Sequence, residues 1–284
     1  MGRTQSLTCL IASLLLSGCG GSGRIVVGSK NFTEQVILGE IVAQQVERRL
    51  GVKADRKLNL GGTLLAHQAL VAGQIDVYPE YTGTALTAVL KLPASGDAAA
   101  VEKRVREEYR SRWKIDWMPP LGFNNTFAMV VAGGYGTLSE AAQRKSGWKL
   151  GAGYEFLTRP DGLPGLLRTY RLPLAGSPLS MDLGLLYQAL KQQQVDMVAG
   201  NATDGLISAM GLTMLKDDKH YFPPYDAALV CRTGALEKHP GLRETLGALS
   251  GKLTTEMMRK MNYDVDGRKR PVAEVAAEFL SGGK

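Results

Sequence analysis

The sequence predicts an α/β protein of largely parallel sheets, folded as two similar lobes that face each other across a cleft. Three observations lead there. Strand-like and helix-like segments alternate from residue 24 onward, the pattern of βαβ units. A stretch also recurs: His67-Gln68-Ala69-Leu70 through Asp76-Val77 resembles Tyr187-Gln188-Ala189-Leu190 through Asp196-Met197, and Tyr81-Thr82-Gly83 stands opposite Asn201-Ala202-Thr203 at the same spacing of 120 residues. A period that long implies two lobes and not a solenoid. Ligands of open α/β sheets bind beyond the carboxyl ends of the strands. Residues just past the two matched strands, Glu80, Tyr81, Thr84, Asn201, Thr203 and Asp204, are therefore candidates for a site between the lobes.

The elements follow in order. Arg24–Gly28 is a short buried-type strand. Asn31 with Glu34 three residues on resembles a capping box. Val36, Ile37, Ile41, Val42, Val46 and Leu50 then form one apolar helical face, stopped by Gly51. A strand is expected at Ala54–Leu60, a helix from Gly61-Gly62-Thr63 to Gly73, and a strand at Ile75–Tyr78. Ala98–Trp113 is charged and amphipathic, an exposed helix, while Phe127–Val131 and Ala227–Cys231 are buried strands. Val27-Gly28-Ser29 and Leu150-Gly151-Ala152-Gly153 each end a strand in small residues, which extends the repeat upstream.

The amino terminus reads as an export signal. Arg3 precedes an apolar run, Leu7–Leu16, of about ten residues, too short for the roughly 20 that span a membrane and suited to a signal peptide. Leu16-Ser17-Gly18-Cys19 looks like a bacterial lipobox. Residues 1–18 are thus expected to be removed and Cys19 to carry lipid, with 19–23 as a flexible tether. Cys9 leaves with the signal, so Cys231 stands alone and no internal disulfide is expected. The formal charge of +7 becomes +6 without Arg3. Lys and Arg are scattered, which argues against nucleic acid as a partner. An anionic membrane surface suits this charge better.

Four separated motifs add a resemblance. Ser29-Lys30-Asn31-Phe32-Thr33-Glu34-Gln35, Tyr78-Pro79-Glu80-Tyr81-Thr82-Gly83-Thr84, Phe123-Asn124-Asn125-Thr126-Phe127 and Asp217-Asp218-Lys219 with Phe222-Pro223-Pro224-Tyr225 resemble the substrate-binding proteins of osmoprotectant ABC importers. The resemblance covers residues 24–280 and implies a type II periplasmic-binding-protein fold whose chain crosses its hinge twice. Residues 24–126 and 227–284 would form one lobe and 127–226 the other. It also implies a quaternary amine such as glycine betaine, choline or carnitine as ligand, an ABC permease as partner, and a monomer facing the periplasm or cell exterior. Tyr81, Phe127 and Tyr225 match rings of an aromatic cage, and Arg159 a carboxylate-binding arginine. Gln35 and Thr84 would tune the ligand's polar end. Asn201 departs from the family, which commonly has a further tyrosine there. Tyr154 and Phe156 are the nearby candidates for a replacement ring.

The cage has a physical basis. A quaternary ammonium has no N–H to donate, so ring faces are its natural partners, each contributing about 0.5–2 kcal/mol. Asn201 suits a polar substituent instead, which brings in another betaine-like cation, ergothioneine for instance. Catalytic readings find little support. His67, His220 and His239 show no metal or triad spacing, and there is no P-loop or GxSxG motif. Neither a cofactor nor a metal is expected. An enzyme on the same fold could use Glu80 or Asp204 as acid or base in the cleft, and a fused or neighbouring signalling domain, which this sequence does not show, would favour a sensory module.

Overall fold

The computed structural model describes residues 23–282. The expected signal segment, Cys19 and nearly all of the tether lie outside the described residues. Among the described residues ten strands form two five-stranded sheets. In chain order they are β1 (Ile25–Gly28), β2 (Ala54–Lys57), β3 (Val77–Tyr81), β4 (Ile115–Trp117), β5 (Phe127–Val131), β6 (Leu150–Ala152), β7 (Leu179–Ser180), β8 (Met197–Asn201), β9 (Thr213–Met214) and β10 (Ala227–Arg232).

The sheets share one plan. The first runs β2-β1-β3-β10-β4 and the second β7-β6-β8-β5-β9. In the first, β1 pairs parallel with β2 and β3, while β10 is antiparallel to β3 and β4. In the second, β6 pairs parallel with β7 and β8, while β5 is antiparallel to β8 and β9. Each sheet is thus parallel but for one reversed strand. Apolar cores lie on both faces of each sheet. Val27 and Val77 point into one core and Tyr78 and Val230 into the other; Met129 and Ala199 oppose Val130 and Val198 in the same way.

The repeat is visible atom by atom. Asp76 donates its backbone amide to the Val26 carbonyl at 2.7 Å and accepts the Val26 amide on its carboxylate at 2.8 Å. Asp196 does the same with Lys149, at 3.2 Å. The helices before them, Thr63–Val71 and Leu186–Lys191, both end in a left-handed residue, Gly73 (φ 71°) and Gln193 (φ 58°). The two crossings between sheets run side by side. Asn125 donates its amide to the Tyr225 carbonyl at 3.0 Å, and Asn124 bridges Asp226.

Three local expectations shift. The second strand is shorter than Ala54–Leu60 because Asn59 takes a left-handed turn (φ 61°). The third runs to Tyr81, past Pro79, because its ladder with β1 stops at Val77 and no strand on that side needs the missing N–H. The long helix spans Thr33–Leu50 and ends at Gly51 (φ 64°) as expected, but Phe32 is its N-cap and no side chain caps it. Glu34 turns inward instead.

Candidate functional site

The carboxyl ends of β3 and β8 and the start of β5 open into a cleft of about 1370 Å³ between the two sheets. Tyr81 closes β3, Asn201 closes β8, and Phe127 opens β5 directly across from Asn201. All three line the cleft, as do Tyr225, Thr84 and Arg159. The cleft thus brings together six of the seven ligand-site candidates, from segments up to 144 residues apart.

Aromatic rings make the cleft's inner wall. Phe127 lies edge-on to Tyr225 (5.6 Å between centroids) and to Phe156 (5.0 Å). Tyr81 stands apart, with Phe32 stacked at 6.3 Å. Gly83 lets the Tyr81-Thr82-Gly83-Thr84 turn sit on Pro223-Pro224-Tyr225; a Cβ there would come within 2.6 Å of the Pro224 carbonyl and 2.8 Å of the Tyr225 ring. Both Tyr154 and Phe156 line the cleft, but differently. Phe156 is buried against Phe127, and Tyr154 is 72% exposed at the mouth.

Each tyrosine hydroxyl donates to a buried carboxylate. Tyr81 bonds Glu34 and Tyr225 bonds Asp161, both at 2.6 Å. Burial and the adjoining carboxylates push both phenols well above their ordinary range, so they remain donors. Arg159 meets Asp161 through two bonds of 2.9 and 2.5 Å and reaches Thr84 Oγ1 at 3.3 Å. Its guanidinium also lies 5.1 Å from the Phe127 ring centre. Burial works to raise the Asp161 carboxyl, and Arg159 overrides it, holding it below the usual carboxylate range. One edge of the guanidinium is thus filled by protein. Its other side meets Thr84 Oγ1 through both terminal nitrogens, with the Glu155 carboxylate 3.8 Å away.

Gln35 requires a correction. It is fully buried, one residue after Glu34, and accepts the Lys30 amide at 3.3 Å. It does not line the cleft. Glu80 is buried too, bonded to Lys30 Nζ at 2.5 Å, to the Tyr78 hydroxyl and to the Tyr81 amide. Asp204 plays a similar part in the second sheet, accepting the Asn201 amide at 2.9 Å and the Tyr187 hydroxyl at 2.5 Å.

Sequence reasoning missed four participants. Lys30 lines the cleft with its ammonium 5.1 Å from the Tyr81 ring centre. Asn125 lines it as well, and donates to Glu34 at 2.8 Å. Glu155 spans the cleft mouth, accepting the Thr63 amide at 2.5 Å and hydroxyl at 2.9 Å. Glu34 gathers four donors: Tyr81, Asn125, Thr203 (2.5 Å) and Asn262 (3.3 Å). Burial raises its carboxyl to about 7, against the pull of those bonds. Lys30, Glu34 and Asn125 stand inside the recognised motifs, so a signal existed for them. Glu34 and Glu155 have partners 47–228 residues away, which no local pattern reveals.

Among the described residues no group of three or more His, Cys, Asp or Glu is placed to hold a metal ion. Cys231 is buried in β10, where burial pushes its thiol up and away from reactivity. No helix among the described residues is long and apolar enough to cross a membrane.

Residues 23–282 match the family described as the substrate-binding domain of an ABC-type glycine betaine transport system. The chain is 36% identical to the carnitine transport binding protein OpuCC of Listeria monocytogenes, covering 97% of this chain and 94% of that one. It is 34% identical to the ergothioneine transport permease/ergothioneine binding protein EgtU of Helicobacter pylori, over 90% of this chain and 47% of that longer protein. Among solved structures, a glycine betaine/carnitine/choline ABC transporter protein superposes with a TM-score of 0.76 at 30% identity, covering 91% of this chain and 98% of the other.

Proposed function

This chain belongs to the family of substrate-binding domains of ABC-type glycine betaine transport systems, and on that premise we propose that its cleft captures a quaternary-ammonium solute in a cage of Tyr81, Phe127 and Tyr225. As a binding protein of an ABC importer it works outside the cytoplasm and hands its ligand to a permease. The observation that carries the ligand assignment is that three rings, from β3, β5 and the segment before β10, line one cleft. Rings suit a cation that cannot donate hydrogen bonds. Thr84, with the Arg159 guanidinium bonded behind it, takes the ligand's carboxylate or hydroxyl.

The lobes consist of residues 24–126 with 227–284, and of 127–226, turning about the paired crossings at Asn124–Asn125 and Tyr225–Asp226. Glu155 on Thr63 is the clasp of the closed form. The receptor is non-catalytic and monomeric, and lipid on Cys19 keeps it beside its permease. A second reading has one specific support. Asn201 sits where a further ring would complete the cage, so its amide suits a betaine with a polar ring, as ergothioneine has.

A thermal-shift screen of the purified protein against glycine betaine, choline, carnitine and ergothioneine tests the assignment. A rise in melting temperature with one or more of them is expected. No shift with any of the four would remove the quaternary-ammonium assignment, and the largest shift with ergothioneine would favour the second reading.

A further inference from the structure

We propose that Glu34 sets the cage's preference for a permanent positive charge, acting through the Tyr81 hydroxyl and not by touching the ligand. The proposal rests on the quaternary-ammonium reading above and deepens it. Glu34 is a positioning residue: it is only 2% exposed and is not part of the cleft wall. Its link to the wall is the 2.6 Å bond it accepts from Tyr81.

Charge accounting around the cleft singles it out. Two cations border the rings, and each has a carboxylate of its own: Lys30 is paired with Glu80 and Arg159 with Asp161. Glu34 has no basic partner. Its contacts are the hydroxyls of Tyr81 and Thr203 and the amides of Asn125 and Asn262, with the carboxylate of Asp204 beyond them. Four neutral donors disperse a buried negative charge, but they do not neutralise it. The missing positive charge is the one a quaternary ammonium brings to the far side of the Tyr81 ring.

The two tyrosines therefore differ despite matching geometry. A phenol that donates to a carboxylate gains electron density on its ring face, which strengthens attraction to a cation. Tyr225 makes such a bond to Asp161, but Arg159 cancels that carboxylate's charge. Tyr81 makes it to a carboxylate with no such counterion. The net charge of the second layer falls behind Tyr81 alone. Because the hydrogen bond fixes the distance, a neutral ligand of the same shape gains nothing from it.

The test compares charge with shape. Wild type, Glu34→Gln and Tyr81→Phe are titrated calorimetrically at pH 8 with choline and glycine betaine. Each is matched with an isostere in which a tert-butyl group replaces the trimethylammonium. Wild type is expected to bind each cation at least about tenfold tighter than its isostere. Glu34→Gln should narrow that ratio about tenfold by weakening the cation alone, and Tyr81→Phe should narrow it in the same direction. A merely structural role would weaken both members of a pair equally, and that result, or an unchanged ratio, overturns the proposal. Should Glu34→Gln fail to fold, Tyr81→Phe decides by the same ratio. Wild type that binds none of the cations defeats the ligand reading itself and this proposal with it. That outcome is distinct from cations bound with an unaltered ratio in the variants.

Discussion

The last residues of β3 and β8 occupy equivalent places in the two sheets and are supported by different chemistry. Both strand ends have their final amide held by a carboxylate, Glu80 fully buried and Asp204 half-buried: Glu80 takes the Tyr81 amide at 2.8 Å and Asp204 the Asn201 amide at 2.9 Å. Glu80 lies in the strand itself and is matched by Lys30. Asp204 lies three residues past Asn201, held by the Tyr187 hydroxyl and no basic group, and burial raises it to about 6. The strand position equivalent to Glu80 is Gly200, where a Cβ would lie 2.0 Å from the Tyr187 oxygen. One architecture has thus been given a ring whose backbone amide is held by an ion-paired carboxylate, Glu80, and an asparagine whose amide is held by a carboxylate without a basic partner, Asp204. Glu34, behind the Tyr81 hydroxyl, is the second acid without a basic partner.

The sharpest way to break this contrast is to remove the counterion. Lys30→Met leaves Glu80 buried and unpaired, and should cost about 3–5 kcal/mol of stability. Asp204→Asn, which removes an acid that has no counterion, should cost no more than about 1–2 kcal/mol. Urea unfolding at neutral pH compares them, and equal losses would erase the distinction between the two ends.

The unbalanced acids also predict a pH slope. An acid whose folded pKa is raised binds more protons folded than unfolded between its two values, so stability falls as pH rises through that window. For Glu34 the window runs from the ordinary 4.5 to about 7. Its contribution is fully present below the window and lost by the top of it, on the order of 3 kcal/mol. Asp204 acts in the same sense between 3.8 and about 6. Urea midpoints should therefore fall between pH 5 and pH 8 in wild type, and much less in Glu34→Gln. A variant with the wild-type slope would place the titration elsewhere.

The smallest expected effect lies at the other strand end. Asn201→Tyr makes the ends alike and should tighten trimethylammonium binding by up to about tenfold, one further ring's worth. A marked loss in a calorimetric titration would instead put the Asn201 amide against a polar group of the ligand.

Much of this was legible in the sequence, for reasons that differ by residue. The repeat showed because Asp76 and Asp196 perform the same backbone task, so the same residue type recurs at the same spacing. Tyr81, Phe127 and Tyr225 were legible from motifs, and strand-end reasoning alone reached Tyr81, Thr84 and Asn201 of the cleft-lining residues. Glu34 was misread as a cap because an acid in a helix's first turn looks the same whether it serves the backbone or long-range partners. Gln35 was placed at the ligand because it shares that motif, and the fold buries it outside the cleft lining. Glu155 gave no sign, since its partner Thr63 is brought near only by the docking of one half on the other.

The cage itself is tested most directly by calorimetric titration of Tyr81→Ala and Tyr225→Ala with the quaternary amine that the wild-type protein binds. Each variant is expected to keep the wild-type circular dichroism spectrum and to bind at least about tenfold more weakly, the loss of one cage ring with its buried area. Wild-type affinity in both correctly folded variants would contradict the account.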